Sequence, residues 1–214
     1  MPNNESWWIK LSKGFLLVIS GPSGSGKGTV SNELLNRNED VVFSVSATTR
    51  KPRVNEKDGL NYIFLEEERF KSMVANDQFL EHAFVHNNYY GTPSEFVMEQ
   101  IDKGEIVLLE IDVQGALQIK KNYKEAVFIF LLPPTMDELK NRIIKRGTES
   151  EADINTRFEN AFVELDFVGE YDYFVVNEQV SEAVSNIEAI IKAEKLRVKR
   201  QSGIKEKVTS KGGK

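Results

Sequence analysis

Between residues 21 and 29 the chain reads Gly21-Pro22-Ser23-Gly24-Ser25-Gly26-Lys27-Gly28-Thr29. An apolar run, Phe15–Ser20, precedes this segment, and Val30, Leu34 and Leu35 follow it at helical spacing. A nucleotide polyphosphate needs converging backbone N–H groups, and glycines let the backbone approach it closely. The start of a helix adds a partial positive charge, and Lys27 supplies a mobile cation for the outer phosphates. The strict form of this loop has Ser or Thr directly after the lysine. Here Gly28 stands in that place, so any hydroxyl contact to Mg²⁺ falls to Thr29 or passes through water. The bland alternative is an unliganded strand-to-helix turn.

A second set of residues suits an anionic acceptor. Ser44-Val45-Ser46-Ala47-Thr48-Thr49-Arg50-Lys51-Pro52-Arg53 ends an apolar run with hydroxyls and two arginines three residues apart. The planar fork of arginine fits phosphate, and two forks can grip one dianion. Asp58-Gly59-Leu60-Asn61-Tyr62 follows, then Glu81 within Phe79–Ala83, then Tyr89-Tyr90-Gly91-Thr92. Each has a plain reading too: surface charges, cross-strand tyrosine pairs, a solvated edge carboxylate. Glu110 and Asp112 come at the end of another apolar run, where open α/β sheets bind ligands. Arg142 and Arg146 lie one helical turn apart, and Arg157 follows a polar break; without a ligand they read as an exposed basic face. His82 and His86 lack the company a metal site needs.

The elements that must position these groups alternate between short apolar runs and helical patterns, the signature of a parallel sheet flanked by helices. The expected strands are Phe15–Ser20, Val41–Ser46, Ile106–Ile111, Ala126–Leu132 and Tyr173–Val176. Thr92-Pro93-Ser94-Glu95 and Thr135-Met136-Asp137-Glu138 both read as helix starts with capping boxes. Val180, Val184, Ile187 and Ile191 mark a packed C-terminal helix. Residues 47–91 read as a small inserted β lobe, with Tyr62–Leu65 and Phe79–Phe84 as antiparallel strands and a turn at Asn87-Asn88. Residues 147–157 read as a mobile lid.

The chain has 214 residues, no cysteine and a formal charge of −5. Disulfides, thiolate metal sites and thiol nucleophiles are therefore excluded. From Glu194 to Lys214 the charge is +6, leaving −11 on the remainder, an acidic body that argues against a nucleic-acid surface. No apolar run reaches the length of a membrane span, and no signal peptide opens the chain, which points to the cytoplasm. Residues 1–14 read as an N-terminal extension, 15–199 as one domain, and 200–214 as a basic, disordered tail.

The glycine loop, S-x-S-x-T-T-R-x-P-R, D-G-x-x-Y-x-F, the acid of F-L-E-H-A and Y-Y-G occur in the order found in guanylate kinases, and the chain resembles that family from about Gly14 to Lys195. The resemblance implies a kinase that moves the γ-phosphoryl group of ATP, with Mg²⁺, onto GMP and also dGMP. It implies that Arg50, Arg53, Tyr62 and Tyr90 hold the GMP phosphate, and that Ser46, Glu81 and Thr92 read the base. Guanine presents adjacent N1–H and N2–H₂ donors, which one carboxylate can accept together. The resemblance also places Asp112 near the acceptor, with Glu110 standing where the family has aspartate. Arg142, Arg146 and Arg157 match arginines that close over the ATP phosphates, and Asn177 lies near the adenine. Two alternatives stay open from sequence: a non-enzymatic interaction module of the same fold, or a kinase for another small phosphorylated acceptor.

Overall fold

A computed structural model describes residues 13–54, 56–85, 87–145, 151–201 and 203–209. The strands are β1 (Phe15–Ser20), β2 (Val41–Phe43), β3 (Ala47–Thr48), β4 (Ile63–Phe64), β5 (Phe79–Val85), β6 (Asn88–Pro93), β7 (Ile106–Glu110), β8 (Val127–Leu132) and β9 (Tyr173–Val176). The helices are α1 (Lys27–Arg37), α2 (Glu67–Ala75), α3 (Ser94–Asp102), α4 (Val113–Asn122), α5 (Met136–Lys145), α6 (Glu151–Leu165), α7 (Val180–Lys195) and α8 (Ile204–Thr209).

Five strands form a parallel sheet in the order β2-β7-β1-β8-β9. β1 is its centre, with Leu17 opposite Leu108 on one side and Val127 on the other. Alternate residues of β1 feed two separate cores. Phe15, Leu17 and Ile19 pack with Val30 and Leu34 of α1 and Val184 and Ile187 of α7. Leu16 and Val18 pack with Val97 of α3 and Ala116 and Ile119 of α4. Burial on both faces is why β1 is apolar almost throughout rather than alternating. Among the described residues no helix is long and apolar enough to cross a membrane.

The lobe is a mixed sheet in the order β4-β3-β6-β5. β5 and β6 form the expected hairpin, with Asn87 at φ 62° in its turn. The strand expected over Tyr62–Leu65 shrinks to Ile63–Phe64 and runs parallel to β3, not antiparallel. Its direction is set by a partner distant in sequence, which local pattern does not reveal. The hydroxyls of Thr48 and Thr49 fasten the lobe: Thr48 Oγ1 donates to the Tyr89 carbonyl and Thr49 Oγ1 accepts from the Tyr89 N–H, both at 2.9 Å. Phe70 of α2, fully buried, stacks on Phe79 and Tyr89 beneath this sheet.

Two expectations about ends are corrected. The capping box at Thr135 forms, with Thr135 Oγ1 accepting from Glu138 N at 3.1 Å, but the cap expected at Thr92 does not. Thr92 belongs to β6, α3 starts after Pro93, and the Thr92 hydroxyl is engaged elsewhere. The ordered body also passes residue 199. Arg200 is 7% exposed, pairs with Glu194 at 2.9 Å and lies 4.5 Å over the Phe15 ring, and its carbonyl accepts from Lys13 N at 2.9 Å. Ile204–Thr209 is helical, so the segment expected to be disordered carries structure at least to Thr209.

Candidate active site

The glycine loop lies at the C-terminal end of β1 and opens α1. Gly21 and Gly26 have φ of 140° and 93°, a region L side chains rarely enter. A Cβ on Gly21 would sit 2.3 Å from the Leu131 carbonyl oxygen, and one on Gly26 would sit 2.4 Å from Asn177 Nδ2. Lys27 is the first residue of α1, and its ammonium donates to the Gly21 carbonyl at 2.6 Å and the Pro22 carbonyl at 3.3 Å. The loop therefore holds its own cation at its mouth.

Three groups reach this loop from other elements. Asn177, 3% exposed and just past β9, donates from Nδ2 to the Ser25 carbonyl at 2.8 Å. It braces the loop through this bond. Arg142 on α5 donates to the Asn177 carbonyl at 3.1 Å and, more loosely, to the Ser25 carbonyl at 3.5 Å; Glu138 holds its Nε at 2.8 Å. Glu164 on α6 accepts from the Ser23 N–H; burial pushes its carboxyl above the ordinary range although Lys27 acts against this. Sequence reading passed over Glu164, since one acid on an amphipathic helix looks like a solvated group. Arg157 also lies on α6, half-buried, and Arg146 lies outside the described residues.

A cavity of about 240 Å³ opens between the lobe and the sheet, lined by Ser46, Tyr62, Glu81, Tyr90, Glu110 and Asp112 among others. Five residues expected to serve the acceptor thus meet at one place: Ser46, Tyr62, Glu81, Tyr90 and Asp112. Glu81, on β5, is 7% exposed, and Thr92 Oγ1 donates to its Oε1 at 2.7 Å. Its other oxygen lies 3.2 Å from where a Gly115 Cβ would be, so the glycine in the first turn of α4 makes room for it. Burial pushes the Glu81 carboxyl up to about 7, with the Asp112 charge adding to the rise and the Thr92 bond opposing it. Asp112 caps α4, accepting from Gly115 N at 2.8 Å.

Arg50 and Arg53 do not line that cavity; they stand on the loop after β3. Arg50 donates to Glu56 at 2.9 Å and its Cζ lies 5.4 Å from the Tyr62 ring centroid. Tyr62 and Tyr90 meet edge-on with centroids 6.0 Å apart, which links the arginine to the cavity wall. Burial raises the Tyr62 hydroxyl above its usual value, keeping it a donor. The D-G-x-x-Y stretch is a tight turn: Asp58 Oδ1 accepts from Phe64 N at 2.8 Å, and Gly59, at φ 75°, donates to the Tyr62 carbonyl at 2.8 Å.

The two departures noted in sequence are neighbours. A Cβ on Gly28 would lie 3.5 Å from Glu110 Oε1 and 3.6 Å from Oε2. A side chain at 28 would thus stand in ordinary contact with the carboxylate of the longer acid at 110. Thr29 is exposed on the first turn of α1.

A family model described as guanylate kinase matches residues 13–194. The guanylate kinase of Clostridium tetani is 57% identical over 190 residues, covering 89% of this chain and 91% of that one. The guanylate kinase of Caldanaerobacter subterraneus subsp. tengcongensis is 54% identical over 192 residues, covering 90% and 93%. Among solved structures, guanylate kinase from Anaplasma phagocytophilum superposes with a TM-score of 0.76 at 37% identity, covering 94% of this chain and 96% of that one.

Proposed function

Because the chain belongs to the guanylate kinase family, its reaction is phosphoryl transfer from ATP to GMP, and we propose how its residues divide that work. The buried Glu81 carboxylate in the 240 Å³ cavity carries the reading. There it accepts guanine N1–H and N2–H₂, with Ser46 beside it and Thr92 holding its other side. Tyr62, Tyr90, Arg50 and Arg53 bind the acceptor phosphate on the flank of the same cavity. The donor phosphates lie on the glycine loop, where Lys27 exchanges the Gly21 and Pro22 carbonyls for phosphate oxygens. Arg142 on α5 and Arg157 on α6 add positive charge, and Arg146, outside the described residues, is assigned the same role.

Little covalent help is required of the protein. The attacking atom is an oxygen of an already anionic phosphate, so no strong general base is needed. In-line positioning and charge neutralisation in a loose transition state supply the acceleration. Of the expected lid, residues 147–150 lie outside the described residues and 151–157 form the first turns of α6; movement of the lobe and of α6 toward each other would exclude water and suppress ATP hydrolysis.

A magnesium ion suits the donor set. Glu110 and Asp112 offer hard oxygen ligands at the cavity wall, and Thr29 offers a hydroxyl on α1. Among the described residues no group of three or more acidic, histidine or cysteine side chains is placed to hold a metal ion. Such an ion supplies neutralisation of the β and γ phosphates.

The test is turnover with ATP against a panel of nucleoside monophosphates. GMP and dGMP should be used, with AMP disfavoured on the order of 10⁴-fold, as expected where buried polar groups would be left unpaired. Lys27→Ala should stay folded and lose roughly 100-fold or more in turnover. Equal use of AMP, or a fully active Lys27→Ala protein, would overturn the assignment.

A further inference from the structure

Glu56 has no part in the transfer described above, yet it is placed with care. Its Oε1 accepts from Arg50 Nη2 at 2.9 Å, its Oε2 from the backbone N–H of Arg53 at 2.8 Å, and its own N–H donates to the Arg53 carbonyl at 3.0 Å. One residue therefore ties Arg50 to the backbone that carries Arg53. Both side chains of the Arg50–Glu56 pair are 17% exposed, well shielded for a surface loop. Arg50 is fixed from its other sides as well: Nη1 donates to the Lys51 carbonyl at 2.8 Å, and Phe64 lies 5.9 Å from its Cζ beside Tyr62.

We propose that Glu56 is the positioning residue of the acceptor-phosphate seat, holding Arg50 and Arg53 in one fork so that a phosphate dianion meets both. The inference rests on the reading of these two arginines as the phosphate grip. The loop has no apolar means of holding its shape, since Lys51, Pro52, Arg53 and Val54 are all exposed and Val54 wholly so. Two guanidinium groups serving one seat repel each other, and the Glu56 charge, which interacts with both arginines, offsets that repulsion. The Arg50 hydrogen bond, with the Arg53 N–H, also holds the Glu56 carboxyl below its usual range, so the anion is present at neutral pH.

Two effects oppose each other when the carboxylate is removed. The seat gains net positive charge, which alone favours phosphate. It also loses the tie that fixes the Arg50 side chain and the backbone carrying Arg53, and that freedom must then be lost on binding. The exposed Arg53 side of the seat is open to salt, so much of the added charge is screened, whereas the lost preorganisation is not. Orientation wins, and phosphate affinity falls.

Glu56→Gln is the test, since it keeps the shape and one acceptor but removes the charge. KM for GMP should rise about tenfold, the loss expected for a hydrogen bond to a charged group. KM for ATP, the melting temperature and the affinity for guanosine, which has no phosphate, should stay the same. Glu56→Asp should fall between the two. A KM for GMP that is unchanged or lower, or guanosine weakened as much as GMP, would overturn the role of Glu56. Arg53→Ala run in parallel separates the two readings. If it raises the KM for GMP while Glu56→Gln does not, only the positioning role fails. If neither variant changes it, the seat itself has been misplaced.

Discussion

Glu81 shows how one buried carboxyl ties recognition to pH and to stability. With its carboxyl pushed up to about 7 by burial, it is close to half-protonated in the substrate-free protein at neutral pH. Guanine offers two donors, so only the carboxylate can accept both, and binding must drive the proton off. KM for GMP should therefore rise as pH falls through 7, approaching tenfold per pH unit at the acid end, while KM for ATP stays flat over the same range. The stability consequence has the opposite sense. The folded value lies above the usual carboxylate value of 4.5, so the contribution is greatest below pH 4.5 and is lost as pH rises through about 7. The loss amounts to roughly 3 kcal/mol. Glu81→Gln removes this titration, so it should melt higher than the parent at pH 8. It should also lose about 5- to 150-fold in kcat/KM for GMP, because its NH₂ opposes one guanine donor. A variant with unchanged GMP efficiency would mean that another residue reads the base. Glu81 was legible in the sequence because it sits inside a recognisable string with Tyr62 and Tyr90. Glu56 and Glu164 were not, because a lone acid among charged residues acquires meaning only when a loop folds back on it.

At the scale of elements, the phosphate loop is held by more than its own glycines. Asn177 of the β9–α7 connection and Arg142 of α5 both bond the Ser25 carbonyl, so two separate elements fix one turn. Gly26 and Gly28 should respond in opposite ways to a side chain. Gly26→Ala forces a non-glycine residue to φ 93° and drives its Cβ to 2.4 Å from Asn177 Nδ2. The backbone strain alone is about 1–3 kcal/mol, and relieving the clash unseats the brace, so KM for ATP should rise at least tenfold. Gly28→Ser meets only the Glu110 carboxylate, at ordinary contact distance, and its hydroxyl can donate there. That variant should fold, melt within a few degrees of the parent and keep most activity, as thermal denaturation and steady-state kinetics would show. The elements themselves were readable in proportion to local information. β1 and β9 match their apolar runs residue for residue. The run Val41–Ser46 yields a strand only to Phe43, and Ser44 keeps a single bond to the Leu108 carbonyl. β3 and β4, two residues each, exist only through their lobe partners and left no periodic trace.

For the molecule as a whole, the question is where the folded body ends. Composition placed that limit at residue 199, because beyond Val198 the chain is basic and poor in apolar groups. The structure shows a different logic. Glu194, 2% exposed at the end of α7, receives Arg200 at 2.9 Å, Tyr173 Oη at 2.8 Å and Arg197 at 3.2 Å. Arg200 reaches further, donating to the Glu125 carbonyl at 3.0 Å and covering the Phe15 ring, while its own carbonyl takes Lys13 N. The turn Val198–Arg200 thus joins α7, the start of β8 and the start of β1, the strand that carries the phosphate loop. Truncation after Lys199 removes Arg200 and leaves a buried carboxylate with the half-exposed Arg197 and one tyrosine. Breaking a buried pair by deleting one partner costs about 3–5 kcal/mol, and the low end applies here because those two groups remain. For a chain of this size about 3 kcal/mol corresponds to a fall in Tm of roughly 6–12 °C. Truncation after Gln201 keeps Arg200 and discards the rest of the basic tail, so its Tm should stay within a few degrees of the full chain. Turnover at 25 °C should be close to normal in both, since no group of the proposed site is lost. Equal melting temperatures for the two truncations would show that Arg200 contributes nothing to the body. A loss confined to the longer truncation would place the end of the fold at the Arg200–Glu194 pair.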